Sequence, residues 1–412
     1  MGNAGSRLTV RIGDLKLSES ERQMLYSLVD SEMFSEGRYI KEFERQWSAY
    51  VGTKHCVAFN SGTSAMMAGF AALQYSRKYG SSVKRGSRVI TTPLTYVATV
   101  NSVATSNLEP VFVDVKDDFN IDEEKVAELL ESSSDVSQYS IILPVHLLGY
   151  VCEMDRINSL ARKHGLVVFE DAAEAHGSTY RGRQVGSLST LSDFSFYMAH
   201  AVCAGELGTL HTSDDELASL AESLKGNGRV CCCTVAQREK GLCPHPTEDS
   251  TGLDPRYASS VIGFNFKATE FQGVLGLTQI AKLNEIIRKR QDNVLYLNEG
   301  LAKQSGVLQL PRFSRTVSYL SYPIVIRDAS ISRKKFRDAL TEAGIESRPL
   351  FGSVPTQQPA YAHLKAQYEG KVPKADYFGS RGFYIGCHQF MPQEQLDYVI
   401  KTFGEIIRQL KR

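Results

Sequence analysis

The chain lacks the features that would tie it to a membrane, to nucleic acid or to a disulfide framework. Neither sign of charge is in excess: 47 lysines and arginines stand against 46 aspartates and glutamates, a net +1. Polyanions and acidic surfaces are therefore not expected as its main partners. No apolar run approaches the roughly 18 residues that a membrane span needs. No signal-peptide pattern is visible, and there are no internal repeats or low-complexity segments. One absence is local: no lysine occurs between Lys163 and Lys225.

What is present is the composition of an ordinary globular protein, 42% apolar and 23% charged. At 412 residues the length suits two unequal domains. The eight cysteines do not spread as a disulfide framework would; Cys231, Cys232 and Cys233 are consecutive and Cys243 follows. Without a secretory signal, such clustering favours metal binding or free thiols, and a reducing, cytoplasmic setting is expected. The start Met1-Gly2-Asn3-Ala4-Gly5-Ser6 fits a myristoylation pattern. The pattern is short, and a plain disordered start explains it as well.

Short apolar runs alternate with amphipathic stretches from about residue 50 to 215. Residues 57–59, 87–90, 111–114, 141–144, 166–169 and 193–196 read as strands, being β-branched or aromatic and too short for buried helices. A helix fits Met154 to Lys163, with Gly165 as its C-cap. The expected class is α/β, with a mainly parallel sheet covered on both faces and ligands beyond the carboxyl ends of the strands. From 225 to 262 the pattern breaks into a Gly-, Cys- and Pro-containing loop, longer than ordinary connections. A long helix over Ala268 to Leu301 and a small α+β region with a helix at Arg333 to Ala343 complete the pattern. The expected division is an N-terminal segment 1–35, a large domain 36–285 and a small C-terminal domain 286–412.

Several residues carry chemistry. Asn60-Ser61-Gly62-Thr63-Ser64-Ala65 follows a strand and opens a helix, where small residues let backbone N–H groups approach a phosphate. A turn of this kind is more often only an N-cap. Asp171 ends a strand, where a carboxylate can pair with a protonated pyridine nitrogen. Tyr96 offers a flat face to such a ring, and Ser195 a hydroxyl to its phosphate. The run Ser192-Asp193-Phe194-Ser195-Phe196-Tyr197-Met198-Ala199-His200, followed by Gly205-Glu206-Leu207-Gly208, completes the series. His146, His176 and His388 lie near strand ends or turns and are weaker candidates, since a satisfied structural histidine is commoner. Lys267 and Arg348 are candidates for substrate contact, with a solvated face as the alternative.

In this order the elements resemble fold-type-I pyridoxal-phosphate (PLP) enzymes of the nucleotide-sugar aminotransferase family, over about residue 10 to the C-terminus. The run ending in His200 resembles the family's cofactor-lysine segment, with histidine where the Schiff-base lysine stands. Residues 37–44, Gly-Arg-Tyr-Ile-Lys-Glu-Phe-Glu, and 263–270, Gly-Phe-Asn-Phe-Lys-Ala-Thr-Glu, most resemble its 3-dehydratase branch. Glu174 stands where aminotransferases usually have glutamine, and the dehydratases carry an acid. The resemblance implies Gly62, Thr63, Ser64, Tyr96, Asp171, Glu174, Ser195 and Asn265 as cofactor-binding residues. Asn265 would reach the cofactor of a neighbouring subunit in a homodimer with shared sites.

The same resemblance implies chemistry without the lysine. Pyridoxamine phosphate (PMP) would be held noncovalently, its amine free to condense with a 4-keto-6-deoxy sugar on a nucleotide. His200 would act as the base, assisted by Glu174, in loss of the hydroxyl at sugar carbon 3. The iron–sulfur members of the branch carry a Gly-Arg-x-Cys-x-Cys element that Gly228 to Cys233 matches. Cys203, Cys231, Cys233 and Cys243 are the expected ligand set, and a flavin/iron–sulfur reductase the expected electron source. Ala173 departs from that pattern, because the family's fourth cysteine belongs there. Two alternatives stand beside this reading: a cluster-free dehydratase that regenerates PMP from glutamate, and a non-catalytic scaffold subunit that keeps the fold.

Overall fold

The structure is a computed structural model that describes residues 10–233, 237, 241, 252–254 and 256–411. The Met1–Ser6 pattern and Cys243 lie outside these residues. Thirteen strands are described. They are β1 His55–Phe59, β2 Arg88–Thr91, β3 Glu109–Phe112, β4 Tyr139–Leu143, β5 Val167–Asp171, β6 Thr179–Tyr180, β7 Arg183–Gln184, β8 Leu191–Ser195, β9 Gly208–Thr212, β10 Leu308–Gln309, β11 Tyr322–Ile326, β12 Ser347–Pro349 and β13 Gly382–Ile385.

Seven of them form one sheet in the order β1-β9-β8-β5-β4-β2-β3. Pairing is parallel from β3 through β8, and β9 runs antiparallel to both of its neighbours. All five residues of β4 and of β5 are buried, as expected for strands covered on both faces. Alternate residues enter opposite cores. Ile142, Val168 and Phe194 join Trp47 and Ile157 on one side. Ile141, Leu143, Phe169 and Leu210 join Phe70 on the other. The helix Gly62–Tyr75 packs on β8 and β9 and the helix Met154–His164 on β4 and β5. Gly165 caps the latter with a left-handed φ of 71°.

A four-stranded antiparallel sheet, β10-β11-β13-β12, follows in sequence. Its core of Tyr322, Phe336, Phe383 and Phe403 is continuous with Leu94, Val145 and Leu147 beside the large sheet. The chain near Val10 docks there too: Val10 donates to Gly344 O at 3.0 Å and accepts from Glu346 N at 2.8 Å.

Two sequence expectations need correction. The long helix over 268–301 is two, Glu270–Ile280 and Leu283–Leu301, separated at Ala281 and Lys282. Neither proline nor glycine marks the break, so periodicity alone runs through it. Lys282 is fixed there by an ion pair with Glu21 at 2.8 Å. The strand pattern also omits β9, whose Gly-Thr-Leu-His-Thr has too little apolar character to stand out. It is a strand because it closes a wide hairpin with β8, and residues 196–207 form the loop that carries His200.

Candidate active site

The carboxyl ends of β5 and β8, the start of the helix Gly62–Tyr75 and side chains from β12 and β13 enclose a cavity of about 390 Å³. At one end, Ser61 caps the helix: its Oγ accepts from Ser64 N at 3.1 Å and its carbonyl from Ala65 N at 3.0 Å. That cap leaves the first turn's leading N–H groups, of Gly62 and Thr63, at the cavity, the arrangement that suits an anion. Glycine is required at 62, since an added Cβ would lie 2.7 Å from Ser195 Cβ. Gly62, Thr63 and Ser195 line the cavity. Ser64 does not; it is buried behind the turn, with its hydroxyl 3.0 Å from that of Ser61.

At the other end Asp171 closes β5. Its carboxylate accepts from Thr99 Oγ1 at 2.7 Å and from Ala173 N at 3.2 Å. Burial pushes its pKa up, against the effect of these two donors. Glu174 accepts from Leu148 N at 2.7 Å. Burial and the charge of Asp171 hold its pKa at about 8, so it is a carboxylic acid at neutral pH. Tyr96, 58% exposed, stands at the rim with its ring edge-on to Phe351 at 5.7 Å.

His200 lines the same cavity. Its Nδ1–H donates to the Ser195 carbonyl, so the lone pair is on Nε2. Burial, reinforced by the Arg290 guanidinium, lowers its pKa to about 4. The imidazole is therefore neutral, with the Nε2 lone pair available to accept a proton, throughout the physiological range.

The profile of the DegT/DnrJ/EryC1/StrS aminotransferase family matches residues 16–404. The chain belongs to this family. The GDP-perosamine synthase of Caulobacter vibrioides is 32% identical over 95% of this chain and 96% of its own length. The dTDP-4-dehydro-2,6-dideoxy-D-glucose 3-dehydratase of Saccharopolyspora spinosa is 29% identical over 97% and 86%. Among solved structures, the E. coli GDP-4-keto-6-deoxy-D-mannose-3-dehydratase with bound hydrated PLP superposes with a TM-score of 0.83. It does so over 96% of this chain and 99% of that chain at 24% identity, and that likeness shows the fold.

For a DegT-family chain the fate of the lysines is decisive. Among the described residues that line the cavity, none is lysine. Lys163 pairs with Glu131 at 3.0 Å on the surface. Lys225 is buried in an ion cluster, 3.0 Å from both Glu36 and Glu222, with its ammonium 3.3 Å from Ala58 O. The donor set nevertheless fits a pyridoxal-type cofactor. A glycine turn that a Cβ would block is set against Ser195, and a buried carboxylate without a cationic partner stands at the far end.

Other sequence candidates fall elsewhere. Asn265 and Lys267 lie on a segment that pairs with residues 224–227, outside this cavity. His146, His176 and His388 do not line it. His146 pairs with the buried Glu170 at 3.1 Å, His176 stacks on Phe196, and His388 accepts from Phe390 N. Arg348 does line it, pairing with Glu346 at 3.1 Å. The expected metal ligands are divided. Cys203 is buried with its thiol 3.4 Å from Met198 Sδ, whereas Cys231 and Cys232 line a separate small recess with Lys225 and Arg229. Among the described residues no three Cys, His, Asp or Glu side chains gather as a metal site requires; the fourth expected ligand, Cys243, lies outside them.

Three contributors were not on the sequence list. Arg290, 1% exposed, donates to Tyr319 O, Leu320 O and His200 O and so ties the histidine loop to the helix Leu283–Leu301. Tyr384 on β13 is the register partner of Arg348 on β12, which the sequence had already marked. Asp193 also faces the cavity. Only Asp193 had a signal in the sequence, a carboxylate two residues before Ser195 and hence on the same face of a strand.

Proposed function

We propose that the chain is a PMP-dependent 3-dehydratase acting on a nucleotide-linked 4-keto-6-deoxyhexose. The observation that carries this reading is a neutral histidine, not a lysine, in a cavity otherwise furnished for the cofactor. Bound there, the cofactor supplies an amine for the sugar ketone and a ring that withdraws electrons from the carbon to be deprotonated. Gly62, Thr63 and Ser195 hold its phosphate, and Asp171 its ring nitrogen. His200 takes the proton at Nε2, while its Nδ1–H stays on the Ser195 carbonyl and fixes the tautomer. Glu174, protonated, offers a hydrogen-bond donor in the cavity wall. The names of the relatives support a nucleotide sugar as substrate, one being a GDP-perosamine synthase and two being 3-dehydratases.

For the return of the amine, the reading without an iron–sulfur cluster has the better support, since Cys203 is set apart from Cys231 to Cys233. Glutamate is then the amine source, and Arg348 in the cavity wall is a partner for its carboxylate. The version with a cluster on Cys231, Cys233 and Cys243 and a reductase predicts iron in anaerobically purified protein and turnover without glutamate.

One experiment separates these readings. Incubation with CDP-, GDP- and dTDP-4-keto-6-deoxyhexoses, PMP and glutamate should give a product that has lost the hydroxyl at carbon 3. Borohydride should leave no cofactor attached to the chain. A 4-amino sugar as the main product, or a cofactor fixed to lysine, overturns the dehydratase; failure to bind PMP or PLP supports the scaffold.

A further inference from the structure

The floor of the cavity holds a second carboxyl that the chemistry above does not use. Asp193 lies on β8 in register with Asp171 on β5, and the two strands are parallel neighbours. Leu191, Asp193 and Ser195 alternate along one face of β8, as Phe169 and Asp171 do on β5. Leu191, Phe169 and Leu210 belong to the same apolar core. Asp193 is 1% exposed and lines the cavity, yet its Oδ1 has no hydrogen-bond partner among the described residues. A buried polar atom without a partner is costly, and a ligand in the cavity that Asp193 lines can supply one.

We propose that Asp193 is a cofactor-positioning residue that stays protonated, so that the pair Asp171–Asp193 presents one negative charge and one neutral donor to the ring. The inference rests on the cofactor reading given above. Asp193 lies in register with Asp171, which would hold the ring nitrogen, and two residues before Ser195, which would hold the phosphate, so it would stand beside a ring held by both. Two carboxylates in adjacent buried positions do not both ionise. Asp171 has the Thr99 hydroxyl and the Ala173 N–H to hold its charge, whereas the donor to the Asp193 carboxyl is its own backbone N–H.

The groups packed against Asp193 leave it that role. Asp171 comes from β5, with His146 acting on Asp171 from beyond it. Leu210 comes from β9, and the helix Gly62–Tyr75 presents Thr63 and Met66. Glu174, His200, Glu206, Arg348 and Tyr384 share the cavity. Burial and the charge of Asp171 push the Asp193 pKa well up. With both acids ionised, the site would carry one negative charge too many for a single pyridinium.

The test uses the full chain stripped of cofactor, as wild type, Asp193→Asn and Asp193→Ala, each also in a Glu174→Gln background to remove that group's titration. PMP and PLP are titrated by absorbance and fluorescence from about pH 6 to pH 9, and carboxyl bands are followed by infrared difference spectroscopy. Asparagine, neutral and isosteric, should bind PMP within about threefold of wild type at pH 7 and lose one protonated-carboxyl band. Alanine, which removes the donor, should bind roughly tenfold more weakly. With Asp193 protonated throughout, the Glu174→Gln protein and its Asp193→Asn form should change affinity in parallel across this range.

A tenfold loss in Asp193→Asn at pH 7 would mean that the anion is needed, and an unchanged carboxyl spectrum that no proton was there. Either result overturns the inference while leaving the cofactor reading intact. A wild-type chain that binds neither PMP nor PLP overturns both. If the alanine form does not fold, the asparagine form and the infrared band decide alone.

Discussion

His200 and Glu174 titrate in opposite directions from their usual ranges, and that fixes how the site should respond to pH. His200 is held down to about 4 and Glu174 up to about 8, burial being the first cause of each. Between these limits the base is neutral and the acid protonated. We expect kcat/KM for the nucleotide sugar to be level from about 5 to 7.5. It should fall on the acid side near 4, not near 6.5, and on the alkaline side near 8. Glu174→Gln should remove the alkaline limb and keep the acid one. The same shifts act on folding. His200, depressed from 6.5, contributes stability that is complete above 6.5 and lost as pH drops through about 4. Glu174, raised from 4.5, contributes stability that is complete below 4.5 and lost as pH rises through about 8. His200→Asn should leave PMP affinity nearly unchanged while lowering kcat by about a hundredfold or more, as loss of a general base does. Equal loss of binding and turnover would point to a structural role. The histidine was legible in the sequence because it interrupts a recognisable run; its tautomer and depressed pKa were not, since they depend on the Ser195 carbonyl and on Arg290.

Among the elements, the turn into the helix Gly62–Tyr75 is held from two sides. Its glycine faces Ser195 on β8, and Gly208 at the start of β9 is tighter still, since an added Cβ there would lie 2.2 Å from the Ser61 backbone. Gly62→Ala should therefore push the phosphate turn off Ser195. The expected outcome is a loss of about 1–3 kcal/mol in unfolding free energy together with weaker PLP binding, measured by denaturant titration and fluorescence. Normal binding would show that the turn yields without cost. The sequence marked this turn correctly as strand, small residues, helix. It gave no hint that the helix over 268–301 divides, because the division at Ala281 and Lys282 is set by the helix Glu19–Ser31 through Glu21 and Lys282, far apart in the chain.

For the molecule as a whole, the buried cluster of Lys225 and Lys41 with Glu36, Glu44 and Glu222 joins distant parts of the chain. Glu44 also accepts from Ala58 N at 2.7 Å, so the cluster reaches β1. Removing the central cation leaves three carboxylates to one lysine, two of them, Glu36 and Glu44, nearly buried. Lys225→Met should cost about 3–5 kcal/mol of stability, read from chemical denaturation, and should leave cofactor chemistry unaltered in the protein that remains folded. A variant that instead lost bound cofactor first would connect this lysine to the active site.

Alternation of short buried runs with amphipathic helices was enough to determine an α/β chain with a mainly parallel sheet, because backbone hydrogen bonding and the burial of both sheet faces constrain each segment locally. The order of small, acidic and hydroxyl residues at strand ends was enough to mark Gly62, Thr63, Asp171, Ser195 and His200, which the fold gathers around one cavity with no lysine among the described residues that line it. Tertiary structure alone decided which of the marked residues meet. It brought Arg348 and Tyr384 of the second sheet into the cavity wall and set Cys203 apart from Cys231. It spent Lys225 in an ion cluster and laid Asp193 beside Asp171. Those outcomes depend on contacts between residues tens to hundreds of positions apart, where desolvation and charge act through space and leave no periodic trace along the chain.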